Sequence, residues 1–172
     1  MQHMEIIPAT IDHANAIGRI GAASWQAAYK GIIPDSYLAN VTPERRAAHI
    51  RKLLPLAIAE YYLFRVDGED AGNAAIGRRH DEGVAVTIGE IGGFYFLPEF
   101  WGRGYPGEAM PFCVARLKEL GFSAITIWVL EENLRARRFY EKHGFALNGN
   151  RKEITLGKPL MEVQYQMDFI VP

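Results

Sequence analysis

Phe94-Tyr95-Phe96-Leu97 runs into Gly102-Arg103-Gly104-Tyr105-Pro106-Gly107, and an amphipathic stretch then leads to Ala124-Ile125-Thr126-Ile127-Trp128-Val129-Leu130. The pattern is apolar strand, glycine-rich turn, helix, second apolar strand. A further helix carries Asn133, Ala136, Phe139 and Tyr140 and stops at Gly144. Glycines between a strand and a helix let backbone N–H groups approach a phosphate, which the positive end of the helix then stabilises. This stretch therefore offers a diphosphate site with a tyrosine placed just beyond it.

Outward from that core, Glu5-Ile6-Ile7 predicts a short first strand. Ile17, Ile20, Ser24, Trp25 and Ala28 fall at helical spacing and predict a helix from Ile11 to about Tyr29. Thr42-Pro43 opens another helix, threonine as cap and proline in the first turn, with Pro55 beyond its end. Tyr61 to Val66 and Ala71 to Ile76 read as paired strands around an Asp67-Gly68 turn. Arg78 to Gly83 reads as a polar loop, and Val84 to Leu97 as a strand interrupted by glycines. Ala146-Leu147 and Val163 to Phe169 read as two closing strands. The order β-α-α-β-β-β-α-β-α-β-β predicts a mixed α/β (α+β) fold, a largely antiparallel sheet with one parallel step. No internal repeat or linker-like stretch divides the chain, so residues 1–172 are expected to form a single domain.

The composition narrows the function. Close to half the chain is apolar (49%) and 23% is charged, as in a packed globular protein. A chain of 172 residues buries roughly 70% of its unfolded surface. The net charge of −1 gives no electrostatic case for nucleic acid or an anionic membrane. No apolar run approaches the ~20 residues of a membrane span, and Met1-Gln2-His3-Met4-Glu5 lacks a signal-peptide pattern. Cys113 stands alone on the apolar stripe Met110, Cys113, Val114, Leu117, which predicts a core thiol rather than a nucleophile. A lone cysteine points to the reducing cytoplasm.

Taken literally, Gly102, Gly104 and Gly107 match the dinucleotide fingerprint Gly-x-Gly-x-x-Gly, with Glu131 near the place of a ribose-binding acid. That would make the chain a nicotinamide-dependent oxidoreductase. A Rossmann domain usually opens with this unit, however, and too few residues follow it to complete the sheet. The glycines also suit an ordinary strand-to-helix turn.

A third reading rests on resemblance. Leu97-Pro98-Glu99-Phe100-Trp101-Gly102-Arg103-Gly104-Tyr105 resembles the strand end and pyrophosphate loop of the GNAT superfamily, usually Arg/Gln-x-x-Gly-x-Gly/Ala. Asn133-Leu134-Arg135-Ala136-Arg137-Arg138-Phe139-Tyr140-Glu141-Lys142-His143-Gly144-Phe145 resembles its second signature, Asn-x-x-Ala-x-x-Phe-Tyr-x-x-x-Gly-Phe. Trp25-Gln26-Ala27-Ala28-Tyr29-Lys30-Gly31-Ile32-Ile33-Pro34 is similar to a segment of bacterial members of uncertain substrate. The resemblance implies a GNAT-like fold, a mostly antiparallel twisted sheet of about six to seven strands flanked by helices. It implies acetyl-CoA as acyl donor and a primary amine as acceptor. Two positions depart from the pattern: Trp101 stands at the Arg/Gln position and Pro106, which has no N–H, at the second Gly/Ala. If they spoil the loop, the alternative is a non-catalytic acyl-CoA-binding or sensor domain.

On this resemblance the cofactor would lie against Phe96, Leu97, Trp101, Gly102, Arg103, Gly104, Tyr105, Pro106, Gly107, Asn133 and Ala136. Backbone N–H groups near Phe96 would polarise the thioester carbonyl if the two central strands splay apart. Tyr140 would protonate the departing thiolate, the alternative being a helix tyrosine packed with Phe139. Asn133 is expected to cap its helix and to contact the cofactor. Glu90 is the candidate base, relaying a proton through water, or else a solvated edge glutamate. Trp25 and Tyr29, one helical turn apart, would wall the acceptor pocket or pack in the core. Glu162 would read the acceptor's positive charge or stand in solvent. His80-Asp81-Glu82 gathers metal-ligating types in a polar loop, but adjacent residues rarely point at one ion, so no metal is assigned. His13, His49 and His143 read as surface or capping residues. The acceptor itself, polyamine, amino acid, antibiotic, peptide or protein lysine, stays open, and edge strands make a homodimer plausible.

Overall fold

The computed structural model of the chain describes residues 3–78 and 81–170. The apolar runs become seven strands: β1 (Met4–Pro8), β2 (Ala59–Val66), β3 (Glu69–Arg78), β4 (Ile88–Phe96), β5 (Ala124–Leu130), β6 (Ala146–Thr155) and β7 (Pro159–Asp168). They form one sheet in the order β1-β2-β3-β4-β5-β7-β6. Among the described residues only the β4–β5 pair of the sheet runs parallel; every other neighbour is antiparallel. This is the mixed sheet with one parallel step, and a Rossmann unit needs a parallel sheet that is not there.

The helices are α1 (Ala14–Ala28), α2 (Asp35–Leu38), α3 (Pro43–Leu53), α4 (Tyr105–Glu119) and α5 (Leu134–Lys142). Strand alternation assigns them to faces. Phe94 stacks on Phe139 of α5, whereas the next residue, Tyr95, meets Arg46 of α3. Tyr62 likewise contacts Phe112 of α4. So α1 and α3 cover one face, and α4 and α5 cover the other. Between them lies a core that includes Ile20, Leu63, Phe64, Ile76, Met110, Leu117, Ile125 and Tyr165. Cys113 is fully buried within it, and burial pushes its thiol up to about 12.

Local chemistry accounts for most element ends. Thr42 accepts from the Arg45 N–H with Pro43 in the first turn of α3, as the sequence predicts. Asp67 and Gly68 both take positive φ (48° and 84°), the turn a tight β2–β3 hairpin requires. The first helix begins later than its periodicity suggests. Ile11–His13 form a single 3₁₀ turn, closed by the Thr10 N–H donating to His13 Nδ1 at 2.9 Å. Residues 84–87 lie outside β4, and β6 and β7 extend well beyond the short apolar runs that announce them. Nearly all of β6 is exposed, so its sequence carries no apolar alternation to read. The cluster His80-Asp81-Glu82 falls partly outside the described residues, since position 80 is not among them; no metal-binding group of His, Cys, Asp and Glu is found among those that are.

Candidate active site

The parallel pair β4–β5 pairs only at Ile88 with Ala124, Gly89 with Ile125 and Glu90 with Thr126. Beyond Glu90 the two strands part. On its other edge β4 stays paired with β3 through Phe96, across an irregularity opposite Ala75 and Ile76. The Leu97 N–H donates to Ala71 O at 2.8 Å, which marks Leu97–Ala71 as a hydrogen-bonded pair. Antiparallel ladders alternate, so Phe96 and Phe94 turn their N–H and C=O groups away from β3, into the gap. The Phe96 carbonyl already has partners there: Ser24 Oγ donates to it at 2.7 Å and Trp101 Nε1 at 2.8 Å. Gly72 sits opposite, where an added Cβ would lie 2.7 Å from the Phe96 ring.

The glycine turn follows. Gly102 and Gly104 take φ of 69° and 92°, conformations that a side chain disfavours, and Gly104 leads directly into α4. The first N–H of α4 to close a helical bond belongs to Glu108, which donates to Gly104 O at 3.1 Å. The earlier amides of this turn face the loop, as an anion site requires. Pro106 occupies the first turn of the helix, so one of those positions has no donor. Arg135 of α5 reaches across to Trp101, its guanidinium carbon 3.3 Å from the ring centre. Burial lowers the pKa of that guanidinium, yet an arginine stays charged.

Asn133 caps α5 by accepting from the Ala136 N–H at 3.3 Å and is itself buried. One helical face then carries Ala136, Phe139 and Tyr140 toward the gap. Tyr140 is 8% exposed and packs on Phe139, Phe145 and Tyr165. Burial is the main cause that raises its pKa above the ordinary tyrosine value. The phenol therefore stays protonated at neutral pH.

The α1 face closes the other side. Trp25 and Tyr29 meet edge to face, ring centres 4.9 Å apart, and Arg46 lies 5.0 Å over Trp25. Burial, with the charges of Tyr95, Tyr140 and Glu162, raises the Tyr29 pKa. Glu162 is half-buried; desolvation raises its pKa, and Lys152 at 3.6 Å opposes that shift.

A cavity of about 1020 Å³ joins these parts through the gap between β4 and β5. That is at the upper end of small-molecule sites. Of the residues singled out in the sequence, it is lined by Glu90, Phe96, Trp101, Gly102, Gly104, Pro106, Gly107, Asn133, Ala136 and Tyr140, and by Trp25, Tyr29 and Glu162. Glu90 is on a central strand at the mouth of the gap, not on an edge. Three others stand outside its wall. Leu97 is buried with its N–H committed to β3, Tyr105 is buried, and Arg103 stacks over Phe100 and Tyr105. Among the lining residues that sequence reasoning did not assign to the site are Ser24, Arg135, Trp128 and Lys152. Ser24 appeared only as a point on an apolar helix, Arg135 at a variable place in a signature, and Trp128 and Lys152 had no local signal.

Residues 25–145 match the model of the acetyltransferase (GNAT) family. The chain belongs to the GNAT family. As a GNAT protein it is an N-acetyltransferase, an acyltransferase that uses acetyl-CoA. An uncharacterized N-acetyltransferase of Mycobacterium tuberculosis (strain H37Rv) is 34% identical over 120 residues, covering 64% of this chain and 74% of that one. The fold matches the PaiA N-acetyltransferase from Thermoplasma acidophilum in complex with coenzyme A. There the TM-score is 0.73 at 16% identity, over 97% of this chain and 99% of that one. The yncA protein of Salmonella typhimurium, solved with acetyl-CoA, has a TM-score of 0.72 at 16% identity, over 99% and 98%. The overall fold is thus shared at low sequence identity.

Proposed function

We propose that this GNAT protein transfers the acetyl group of acetyl-CoA directly to a primary amine of a small molecule or peptide. One observation carries the reading. The cavity that opens beyond Glu90 is lined by Phe94 and Phe96, whose amides turn away from β3, by the loop glycines and by Tyr140. The diphosphate rests on the loop amides at Gly102, Gly104 and Gly107 and on the start of α4. The pantetheine arm enters the gap, where the unpaired β4 amides bind its amides and polarise the thioester carbonyl.

The acceptor arrives from the α1 face, between Trp25, Tyr29 and Glu162. Glu90 takes a proton from its ammonium through water. The amine lone pair attacks the thioester carbon to form the N–C bond, the C–S bond breaks, and Tyr140 gives its proton to the departing thiolate. The proton shed by the acylated nitrogen passes through water to restore the phenol. Asn133 holds the start of α5 and so the position of Tyr140. The lone core thiol suits the reducing cytoplasm as the site of action. The exposed edge strand β6 leaves room for a second copy in a homodimer.

Thermal unfolding with acetyl-CoA, CoA and NAD, followed by thiol release over an amine panel, tests this reading. A ligand at a hundred times its dissociation constant adds about 2.7 kcal/mol of stability. Acetyl-CoA and CoA should raise the melting temperature, NAD should not, and at least one amine should release thiol. Stabilisation by acetyl-CoA with no turnover on any amine would support a binding or sensor role instead.

A further inference from the structure

The acceptor side of the cleft holds a cation that this reaction does not use. Lys152 on β6 sets its Nζ 4.2 Å from the centre of the Trp128 ring and 3.6 Å from Glu162 Oε2. The Trp128 indole N–H donates to Asp81 Oδ2 at 3.1 Å, which fixes the plane of the ring. Trp128, Lys152 and Glu162 all line the cavity. In the sheet register Lys152 lies opposite Glu162, and Trp128 opposite Gln164. Tyr165 packs on Tyr140 toward α5, so alternation puts Glu162, Gln164 and Trp128 on the opposite face, where Trp25 and Tyr29 stand.

An aromatic face beside a half-buried carboxylate is how proteins hold an ammonium ion. The lysine holds this place loosely. A charge-assisted hydrogen bond spans about 2.7–2.9 Å, and the 3.6 Å separation exceeds it. The Lys152 side chain keeps 41% of its exposure while that of Glu162 keeps 19%. Lys152 also hangs by a flexible stem from the solvent-exposed strand β6, so it can swing into water. A half-buried carboxylate with a distant partner gains when a closer cation takes its place.

Building on the acetyl-transfer reading, we propose that the Trp128 ring, held in plane by Asp81, and Glu162 form a subsite for a second ammonium on the acceptor, with Lys152 as its resident place-holder. The acceptor class is then an alkyl diamine or longer polyamine. One amino group reaches the gap between β4 and β5, and another takes the place of the Lys152 ammonium as that side chain withdraws.

Calorimetry on the CoA-loaded protein tests this with a straight-chain diamine and the monoamine of equal length. Wild type should bind the diamine at least tenfold more tightly. Glu162→Gln should erase that preference. Lys152→Met, which keeps the stem and removes the charge, should tighten diamine binding several-fold and leave the monoamine unchanged. Equal binding of the two amines by wild type, or weaker diamine binding by Lys152→Met, would overturn the proposal. So would tighter binding of an amino acid that Lys152→Met abolishes, because Lys152 would then read a carboxylate. The measurement needs no turnover. Diamine binding without acetylation would sink the acetyl-transfer reading and spare this one, and acetylation with no diamine preference would do the reverse.

Discussion

The indole N–H of Trp101 donates to the carbonyl oxygen of Phe96 at 2.8 Å, tying the glycine loop to the open end of β4. Trp101 stands where the family pattern has arginine or glutamine, and its neighbourhood compensates. The aromatic ring carries the Arg135 guanidinium above it, so a cation still faces the cavity. The loop has exchanged a flexible polar side chain for a rigid donor that also serves as a platform.

This arrangement makes Ser24 and Trp101 partners on one oxygen. Trp101→Phe keeps a ring and removes the donor, and Ser24→Ala removes the other donor at 2.7 Å. Each change alone should cost about 1 kcal/mol. Together they strip the carbonyl of both protein partners, so the double variant should lose more than the sum. Urea denaturation of the four proteins measures this, and simple additivity would mean that water replaces the donors.

Pro106 removes one possible amide from the diphosphate site while its fixed φ suits the first turn of α4. Pro106→Ala restores the N–H, and a charge-assisted bond contributes roughly 1.5–3 kcal/mol. Titration should show tighter CoA binding by less than that full value and no change for dephosphorylated pantetheine. Equal or weaker CoA binding would show that this position never faces the diphosphate.

Glu90 takes its place at the last paired position before the strands part. If it collects the acceptor's proton, Glu90→Gln should lose most activity at lower pH, where more of the amine is protonated and a base is needed most. The defect should shrink as pH rises toward the pKa of the amine. A pH–rate profile separates this from a loss that is equal at every pH, which would indicate damaged structure.

Cys113 is fully buried, and its thiol is pushed up to about 12. At pH 8 the thiolate fraction is then roughly 10⁻⁴. An aromatic disulfide reagent should leave it unmodified in the native protein and modify it at once in denaturant. Rapid native-state labelling would instead report an opening of the core beside α4.

How far the sequence carried depends on where each signal sits. The strand Ala124–Leu130, the Asn133 cap and the Thr42-Pro43 start are local patterns, and each appears at its predicted place. The parallel step follows from strand–helix–strand order alone. The exposed strand β6 and the short helix α2 have no apolar period, so composition hides them. In the site, Tyr140, Asn133 and the glycines are consecutive in a motif and were legible. Ser24, Trp128 and Lys152 come from separate elements and meet only through the register of the sheet. The inward turn of the Phe96 amide is likewise a matter of ladder alternation, which no residue type encodes.

The most direct test of the central claim is the turnover of Tyr140→Phe beside its affinity for acetyl-CoA. Tyr140 lines the cavity, burial raises its pKa further above neutrality, and its ring packing remains when only the oxygen is removed. If it supplies the proton for the departing thiolate, kcat should fall by roughly 10²-fold or more, while titration shows nearly unchanged acetyl-CoA binding. Unchanged kcat in a folded, cofactor-binding variant would contradict the account and return Tyr140 to a packing role.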